Sequence, residues 1–182
     1  VRVFNPEPSV NGWSDDKTVI HAVIDDSPFL IDSINMAINA MDLQVHALIH
    51  PVVDVRRDGD GRLTAVCIEG GLPESVMHFE IDRIGDADEM ARLQGTIAAA
   101  LGDVHSAVID WAAMRDKALA IAAELPQRTL PIDAAGIAEA QDFLNWLADD
   151  HFTFLGYREY EVAEIEGDRV LRAINASGLG IL

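Results

Sequence analysis

The 182-residue chain contains one cysteine, Cys67, and few basic side chains. A single cysteine excludes an intrachain disulfide framework and is typical of a protein in a reducing cytoplasm. The chain has 13 Lys and Arg residues against 31 Asp and Glu residues, so its net charge is −18. Such an acidic chain repels phosphate backbones, and we therefore expect no nucleic-acid partner.

Long apolar runs and glycine-rich motifs are also missing. No uninterrupted apolar run approaches the roughly 20 residues that a membrane helix needs, and the N-terminus lacks a signal-peptide pattern, so we expect no membrane partner. The glycines follow neither G-x-G-x-x-G nor G-x-x-x-x-G-K-[ST] order, so we expect no cofactor site in this chain. The chain begins without a methionine and ends without a helix stop or a polar tail, which predicts a fragment of a longer protein.

Hydrophobic residues make up 49% of the chain, enough for a folded core. Runs of β-branched residues predict strands at 17–24, 44–57, 63–69 and 75–83, with Pro51 marking an edge or a bulge. The turn sequence Asp-Gly-Asp-Gly at 58–61 predicts a hairpin. Two further strands are expected at 151–162 and 169–174. Strands in succession with helices between them indicate an α+β sandwich.

Helices are predicted from apolar residues at helical spacing. The first helix carries an inward stripe of Leu30, Ile34, Ala37, Ile38 and Met41. Two helices are expected between residues 86 and 121, separated by a stop at Gly102. A final helix follows a cap at Asp133. The aromatic residues near the C-terminus are expected in the core, and they are Trp146, Phe152, Phe154, Tyr157 and Tyr160.

These elements predict a domain organisation in four parts. Residues 1–16 form an irregular lead-in, residues 17–125 an α+β domain and residues 126–132 a linker. Residues 133–182 supply a helix and a β-hairpin that begin a further domain.

The polar segment at residues 25–33 is open to three interpretations. As a helix start, Ser27 caps the helix and Pro28 takes its first position. As a binding turn, the helix N-terminus holds a carboxylate while Asp25 or Asp26 meets an ammonium group. As a catalytic site, its carboxylates would perform acid–base chemistry, which spacing alone does not support, so no catalytic residue is assigned. The candidate ligand-binding residues are Asp25, Asp26, Ser27, Phe29, Leu30, Asp32 and Ser33.

A metal site is the alternative reading of the histidines. His46, His78 and Glu80 would supply zinc ligands if their strands lay side by side. His46 and His50 lie four residues apart on one strand, about 13 Å by the strand rise, so one ion cannot bind both. Residues lining a half-buried sheet face are the simpler interpretation, and no metal ligands are assigned.

The stretch DDSPFLIDSINMAINAMDLQVHALIHPVVDVRRDGDGRL resembles the N-terminal region of the large bacterial NAD-specific glutamate dehydrogenases. The similarity continues through ESVMHFEIDRI, DVHSAVIDWAAMR, FLNWLADDHFTFLGYREYEV and GLGIL, covering residues 19–182 in order. The resemblance implies a ferredoxin-like, ACT-type antiparallel sheet of βαββαβ order with helices on one face, followed by a helix and a β-hairpin.

The resemblance also implies a function. The expected role is a non-catalytic regulatory or assembly region whose parent enzyme uses NAD, with the dehydrogenase domain far downstream. ACT modules often bind amino acids and pair edge to edge, so an amino-acid effector, other domains of the same chain and a homo-oligomer are the implied partners. The alternative is a purely structural oligomerisation module without a ligand. Three consecutive strands are predicted where the family order has two. Either an inserted additional strand or a closing strand at 104–109 would reconcile the two orders.

Overall fold

The computed structural model describes residues 1–67, 69–165 and 167–182. They form two compact units, Val1–Val104 and His105–Leu182, and the division falls within one long helix. The domain bounds expected from the sequence, with a linker at 126–132, stay a prediction, because compactness alone does not show which segment folds independently.

The first unit alternates strands and helices. Its strands are β1 (Arg2–Phe4), β2 (Thr18–Asp25), β3 (Val45–Ile49), β4 (Val52–Arg57), β5 (Leu63–Val66) and β6 (Leu72–Ile81). Its helices are α1 (Pro8–Asn11), α2 (Leu30–Asn39) and the first part of α3 (Ala87–Glu124).

The strands form one antiparallel sheet in the order β1-β2-β6-β4-β5, with β3 also paired to β6. Strands β2 and β6 are central, and Ile20 stands opposite Phe79. One face of these strands packs against α2 and α3 to form the core. The α+β class, with an antiparallel sheet and helices on one face, is therefore confirmed.

The N-terminal strand fills an unexpected place. In the βαββαβ order the last strand lies beside the first, yet here Arg2–Phe4 pairs with β2 at that position. The irregular lead-in expected at 1–16 is wrong on this point, because three residues can complete a sheet edge without a periodic signal of their own. A closing strand at 104–109 is also wrong, since those residues lie within α3.

The predicted strand at 44–57 divides at His50 and Pro51. Strand β3 pairs with the C-terminal half of β6, and β4 pairs with its N-terminal half. Proline has no N–H to donate to the ladder, but the Pro51 carbonyl accepts from the Val76 N–H at 3.0 Å. The third expected strand, β5, extends the sheet beyond β4 as the far side of the 58–61 hairpin.

Helix α3 runs without interruption for 38 residues, about 57 Å at 1.5 Å per residue. The stop expected at Gly102 is wrong, because a helical glycine costs only about 1 kcal/mol and the apolar stripe continues in phase beyond it. By length and composition α3 could cross a membrane. Its residues Leu93, Ile97 and Leu101 nevertheless pack into the core of the first unit.

Within residues 105–165 and 167–182, the second unit contains the rest of α3, helix α4 (Ala134–Trp146) and four short strands. These are β7 (Gly156–Tyr157), β8 (Tyr160–Ile165), β9 (Asp168–Ala173) and β10 (Leu179–Gly180). Asp133 caps α4 by accepting from the Gly136 N–H at 2.8 Å, as predicted. Strands β8 and β9 form the expected hairpin. The aromatic core expected here is wrong for Trp146, Phe152 and Tyr160, which are exposed, while Phe154 and Tyr157 are half-buried.

Candidate functional site

The candidate turn connects β2 to α2. Strand β2 ends at Asp25, and the Asp26 N–H donates to the Pro73 carbonyl at 3.0 Å, which anchors the turn to β6. Phe29 then adopts a left-handed backbone with φ +69°, which is unusual for a bulky residue. This residue turns the chain into α2, and its side chain remains exposed.

The start of α2 differs from the sequence-based expectation. The N-cap residue is Phe29, and no side chain of the described residues caps the helix. Ser27 therefore does not serve as the cap and Pro28 is not the first helical residue, because the left-handed Phe29 delays the helix by two positions. The first backbone N–H groups of α2 lack a capping side-chain acceptor, and Asp32 adds a negative charge in the first turn.

A chain of hydrogen bonds ties Asp26 to two residues that are distant in sequence. The Ser75 hydroxyl donates to Asp26 Oδ1 at 2.6 Å, and His50 Nε2 lies 2.9 Å from the same Ser75 oxygen. Ser75 is completely buried on β6, whereas Asp26 is exposed. The Asp26 carboxylate is therefore accessible to solvent, while its Oδ1 is hydrogen-bonded to the buried Ser75.

Asp25 belongs to a different environment. It stands opposite Glu74, and neighbouring residues on a strand point to opposite faces of the sheet. Glu74 is buried and accepts from Arg57 through both carboxylate oxygens, at 2.5 and 2.7 Å. The Arg57 guanidinium lowers the pKa of Glu74, and Glu74, with a smaller contribution from Asp25, raises the pKa of Arg57.

The remaining predicted residues separate into core and surface positions. Leu30 is 2% exposed and belongs to the core. Asp32 is exposed and Ser33 is half-buried on the first turn of α2. No local sequence pattern marks Ser75, Glu74 or Arg57, because only the register of β6 against β2 and β4 brings them to the turn.

The histidines expected on the sheet pair with separate partners. His21 Nε2 lies 2.8 Å from His78 Nδ1, and His78 Nε2 lies 3.3 Å from Glu80. His46 instead contacts Asp82 at 2.7 Å. Over residues 1–67, 69–165 and 167–182 no group of three or more candidate ligands is placed to hold a metal. The alternative His46–His78–Glu80 zinc site is therefore not assembled among the residues described.

Two of these groups have shifted pKa values. Burial lowers the pKa of His21, and the charges of His78 and Arg2 lower it further. The pKa of Asp82 is lowered, mainly because its carboxylate accepts from the Gln44 N–H and secondly because it contacts His46. Both shifts therefore follow from burial and from neighbouring groups within the first unit.

The antiparallel sheet, the two helices on one face and the strand–helix turn at its end define an ACT-like α+β domain. Residues 1–97 match the family model described as "Glutamate dehydrogenase, ACT1 domain", and the chain belongs to that family. The resemblance read from the sequence is confirmed.

Three curated relatives carry the name "NAD-specific glutamate dehydrogenase". The protein from Pseudomonas aeruginosa is 37% identical over 177 residues, covering 94% of this chain and 11% of the relative. The Halomonas elongata protein is 38% identical over 187 residues, covering 100% of this chain and 12% of the relative. The Mycobacterium tuberculosis protein is 26% identical over 174 residues, covering 90% and 10%. The chain therefore spans about a tenth of the length of these relatives.

Proposed function

We propose that this chain is a non-catalytic regulatory or assembly region of an NAD-dependent glutamate dehydrogenase. The parent reaction would convert glutamate and NAD to 2-oxoglutarate, ammonia and NADH, on domains that lie elsewhere in the longer protein. The family match over residues 1–97 and the shared name of the relatives support this proposal. NAD would bind to the parent enzyme rather than to this chain, and the location would be cytoplasmic.

The proposed regulatory ligand is an amino acid bound at the turn 25–33. The uncapped N-terminus of α2 offers backbone N–H groups and the positive end of the helix dipole, which suit an α-carboxylate. An exposed carboxylate beside it suits the ammonium group. The observation that carries the proposal is Asp26, which is exposed yet held in place by Ser75.

Asp26 suits the ammonium better than Asp25 does. Ser75 shares its sheet face with Met77 and Phe79, which pack against the helices, so its partner Asp26 lies on the side of α2. Asp25 aligns with Glu74, on the face occupied by the Arg57 ion pair. The two neighbouring aspartates thus provide a test and its matched control.

Isothermal titration of the 182-residue chain with individual amino acids, beginning with L-glutamate, tests the effector role. We expect one amino acid to bind and the Asp26→Asn substitution to weaken it by at least tenfold, because a charged hydrogen bond contributes about 1.5–3 kcal/mol. Asp25→Asn should retain binding. Equal binding by wild type and Asp26→Asn would place the site elsewhere, and no binding at millimolar concentration would remove the effector role.

An assembly module without a ligand is the second candidate. It is favoured by strand β5 at the end of the sheet order, where Leu63 and Val66 are exposed. Unpaired backbone groups and apolar side chains at a sheet edge suit pairing with a second copy. Light scattering of wild type and Val66→Lys tests this role, with Leu171→Lys on β9 as the control. A lower association state in Val66→Lys alone would support it, and a wild-type monomer would exclude it.

A further inference from the structure

The hydrogen bonds around Ser75 have a defined direction. An ionised carboxylate only accepts, so the Ser75 hydroxyl proton must point to Asp26 Oδ1. The Ser75 oxygen is then free to accept, and His50 donates to it from Nε2. The arrangement therefore selects the histidine tautomer that carries a proton on Nε2.

These hydrogen-bond directions do not activate Ser75 as a nucleophile. In an activated serine the histidine accepts the hydroxyl proton, whereas here the histidine donates and the proton goes to the carboxylate. Ser75 is also completely buried, so a substrate cannot reach its oxygen. What the arrangement does is hold one oxygen of the exposed Asp26 carboxylate.

The break between β3 and β4 makes the arrangement possible. Strand β3 ends at Ile49 and β4 begins at Val52, so His50 lies in the interruption. The Pro51 carbonyl accepts from the Val76 N–H, immediately after Ser75, and this bond fixes the interruption against β6. A regular strand would continue the ladder, and its register would decide where the histidine ring points.

We infer that Ser75 and His50 are positioning residues of the effector turn, acting on the ligand through Asp26. They hold Oδ1 from the buried side and leave Oδ2 to receive an ammonium group. The inference rests on the proposed function for its ligand, but the positioning itself has a readout that needs no ligand.

The ligand-independent readout is the protonation site of His50. Nitrogen-15 NMR of the 182-residue chain at pH 7.5 distinguishes the two neutral tautomers of each histidine. We expect His50 to carry its proton on Nε2 in wild type. In Ser75→Ala the share of the Nδ1-protonated tautomer should rise, because no acceptor then holds the Nε2 proton. His46, which contacts Asp82, supplies the internal control and should not change. An unchanged His50 signature in a folded Ser75→Ala variant would overturn the inference.

The ligand-dependent readout is calorimetric affinity for L-glutamate or for the amino acid found to bind. Ser75→Ala and His50→Ala should each weaken binding by about tenfold, equivalent to about 1.4 kcal/mol. His50→Gln should restore most of the affinity, because its side-chain amide offers an N–H donor near the position of Nε2. His46→Ala should bind like wild type.

The substitutions keep the alternatives apart. Equal weakening by His50→Gln and His50→Ala would mean that the donated hydrogen bond is not what matters, and would refute the positioning role. If no amino acid binds to any variant, the effector proposal fails, while the His50 tautomer still decides whether Ser75 organises this turn. Circular dichroism confirms that each variant is folded, and His50→Gln remains informative if Ser75→Ala is not.

Discussion

The two units differ in what they bury. The first unit encloses large side chains from both the sheet and the helices, among them Ile20, Ile34, Phe79, Leu93 and Ile97. The buried hydrophobic residues of the second unit are Ala107, Met114, Ala118, Ala122 and Ala148, as far as the described residues extend. Apart from Met114, many of its larger apolar side chains are exposed, with Trp146 48% exposed and Leu171 70% exposed.

This difference indicates that the two units are stabilised in different ways. Burying a large aliphatic or aromatic side chain stabilises a fold by about 1.5–3 kcal/mol, whereas an alanine contributes far less. The first unit therefore holds its sheet and turn through a packed core. The second unit depends more on local structure, such as the α4 cap and the β8–β9 hairpin. A comparison of matched substitutions in the two units tests this division.

The largest effect is expected from truncating the core of the first unit. Ile34→Ala should lower the free energy of unfolding by about 2–5 kcal/mol, because Ile34 is 0% exposed on the inward stripe of α2. Leu30→Ala should behave alike, whereas Asn35→Ala should cost little. Leu171→Ala in the second unit should stay within about 0.5 kcal/mol. Chemical denaturation measures all four, and a comparable loss for Leu171→Ala would break the comparison.

The next largest difference in stability is expected between the Arg57–Glu74 ion pair of the first unit and the Lys117–Glu159 ion pair of the second. Arg57→Met leaves the buried Glu74 carboxylate without its partner, whereas Lys117→Met removes a partner from the more exposed Glu159. We expect a clear drop in the denaturation midpoint for Arg57→Met and a much smaller one for Lys117→Met. Equal drops would show that burial does not separate the two pairs.

The contribution of the Arg57–Glu74 ion pair to stability should depend on pH in a defined direction. Because folding lowers the pKa of Glu74, its stabilisation is present above the ordinary glutamate pKa of 4.5 and is lost as the pH falls through the folded pKa. Repeating the denaturation of wild type and Arg57→Met at successively lower pH should bring their midpoints together. A gap that stays constant down to full protonation would contradict this linkage.

For the helix caps, we expect the larger loss of stability in the second unit rather than in the first. Asp133→Ala in the second unit should cost about 0.5–2 kcal/mol, because its side chain caps α4. Ser27→Ala in the first unit should cost less than about 0.5 kcal/mol, because Phe29 rather than Ser27 occupies the N-cap of α2. Thermal unfolding followed by circular dichroism measures both. A larger loss for Ser27→Ala would restore the cap predicted from the sequence.

The smallest effect concerns histidines near neutral pH. The folded pKa of His21 lies below the ordinary histidine value of 6.5, so the unfolded chain binds more protons and acidification through that range destabilises the first unit. His21→Gln should reduce the loss of stability between pH 7.5 and 5.5. His105→Gln, at an exposed position of the second unit, should leave that loss unchanged. Identical pH profiles for wild type and His21→Gln would remove His21 as the source.

Local pattern was sufficient for most individual elements. The inward stripe of α2, the hairpin turn at 58–61, the interruption at Pro51 and the cap at Asp133 are each encoded within a few neighbouring residues. Helical spacing, turn chemistry and the missing N–H of proline act over that range, so the sequence by itself determined them. The family resemblance likewise rests on ordered stretches of sequence, and it is confirmed over residues 1–97.

Tertiary structure decided what depends on partners far away in the chain. The pairing of Arg2–Phe4 with β2 and the alignment of Ser75 with the 25–33 turn are set by strand register, and a shift of one residue would turn every side chain to the opposite face. The continuity of α3 through Gly102 and the exposure of Trp146 depend on which surfaces are available for packing. Local spacing does not encode those surfaces, because burial is a property of the folded arrangement rather than of the residue.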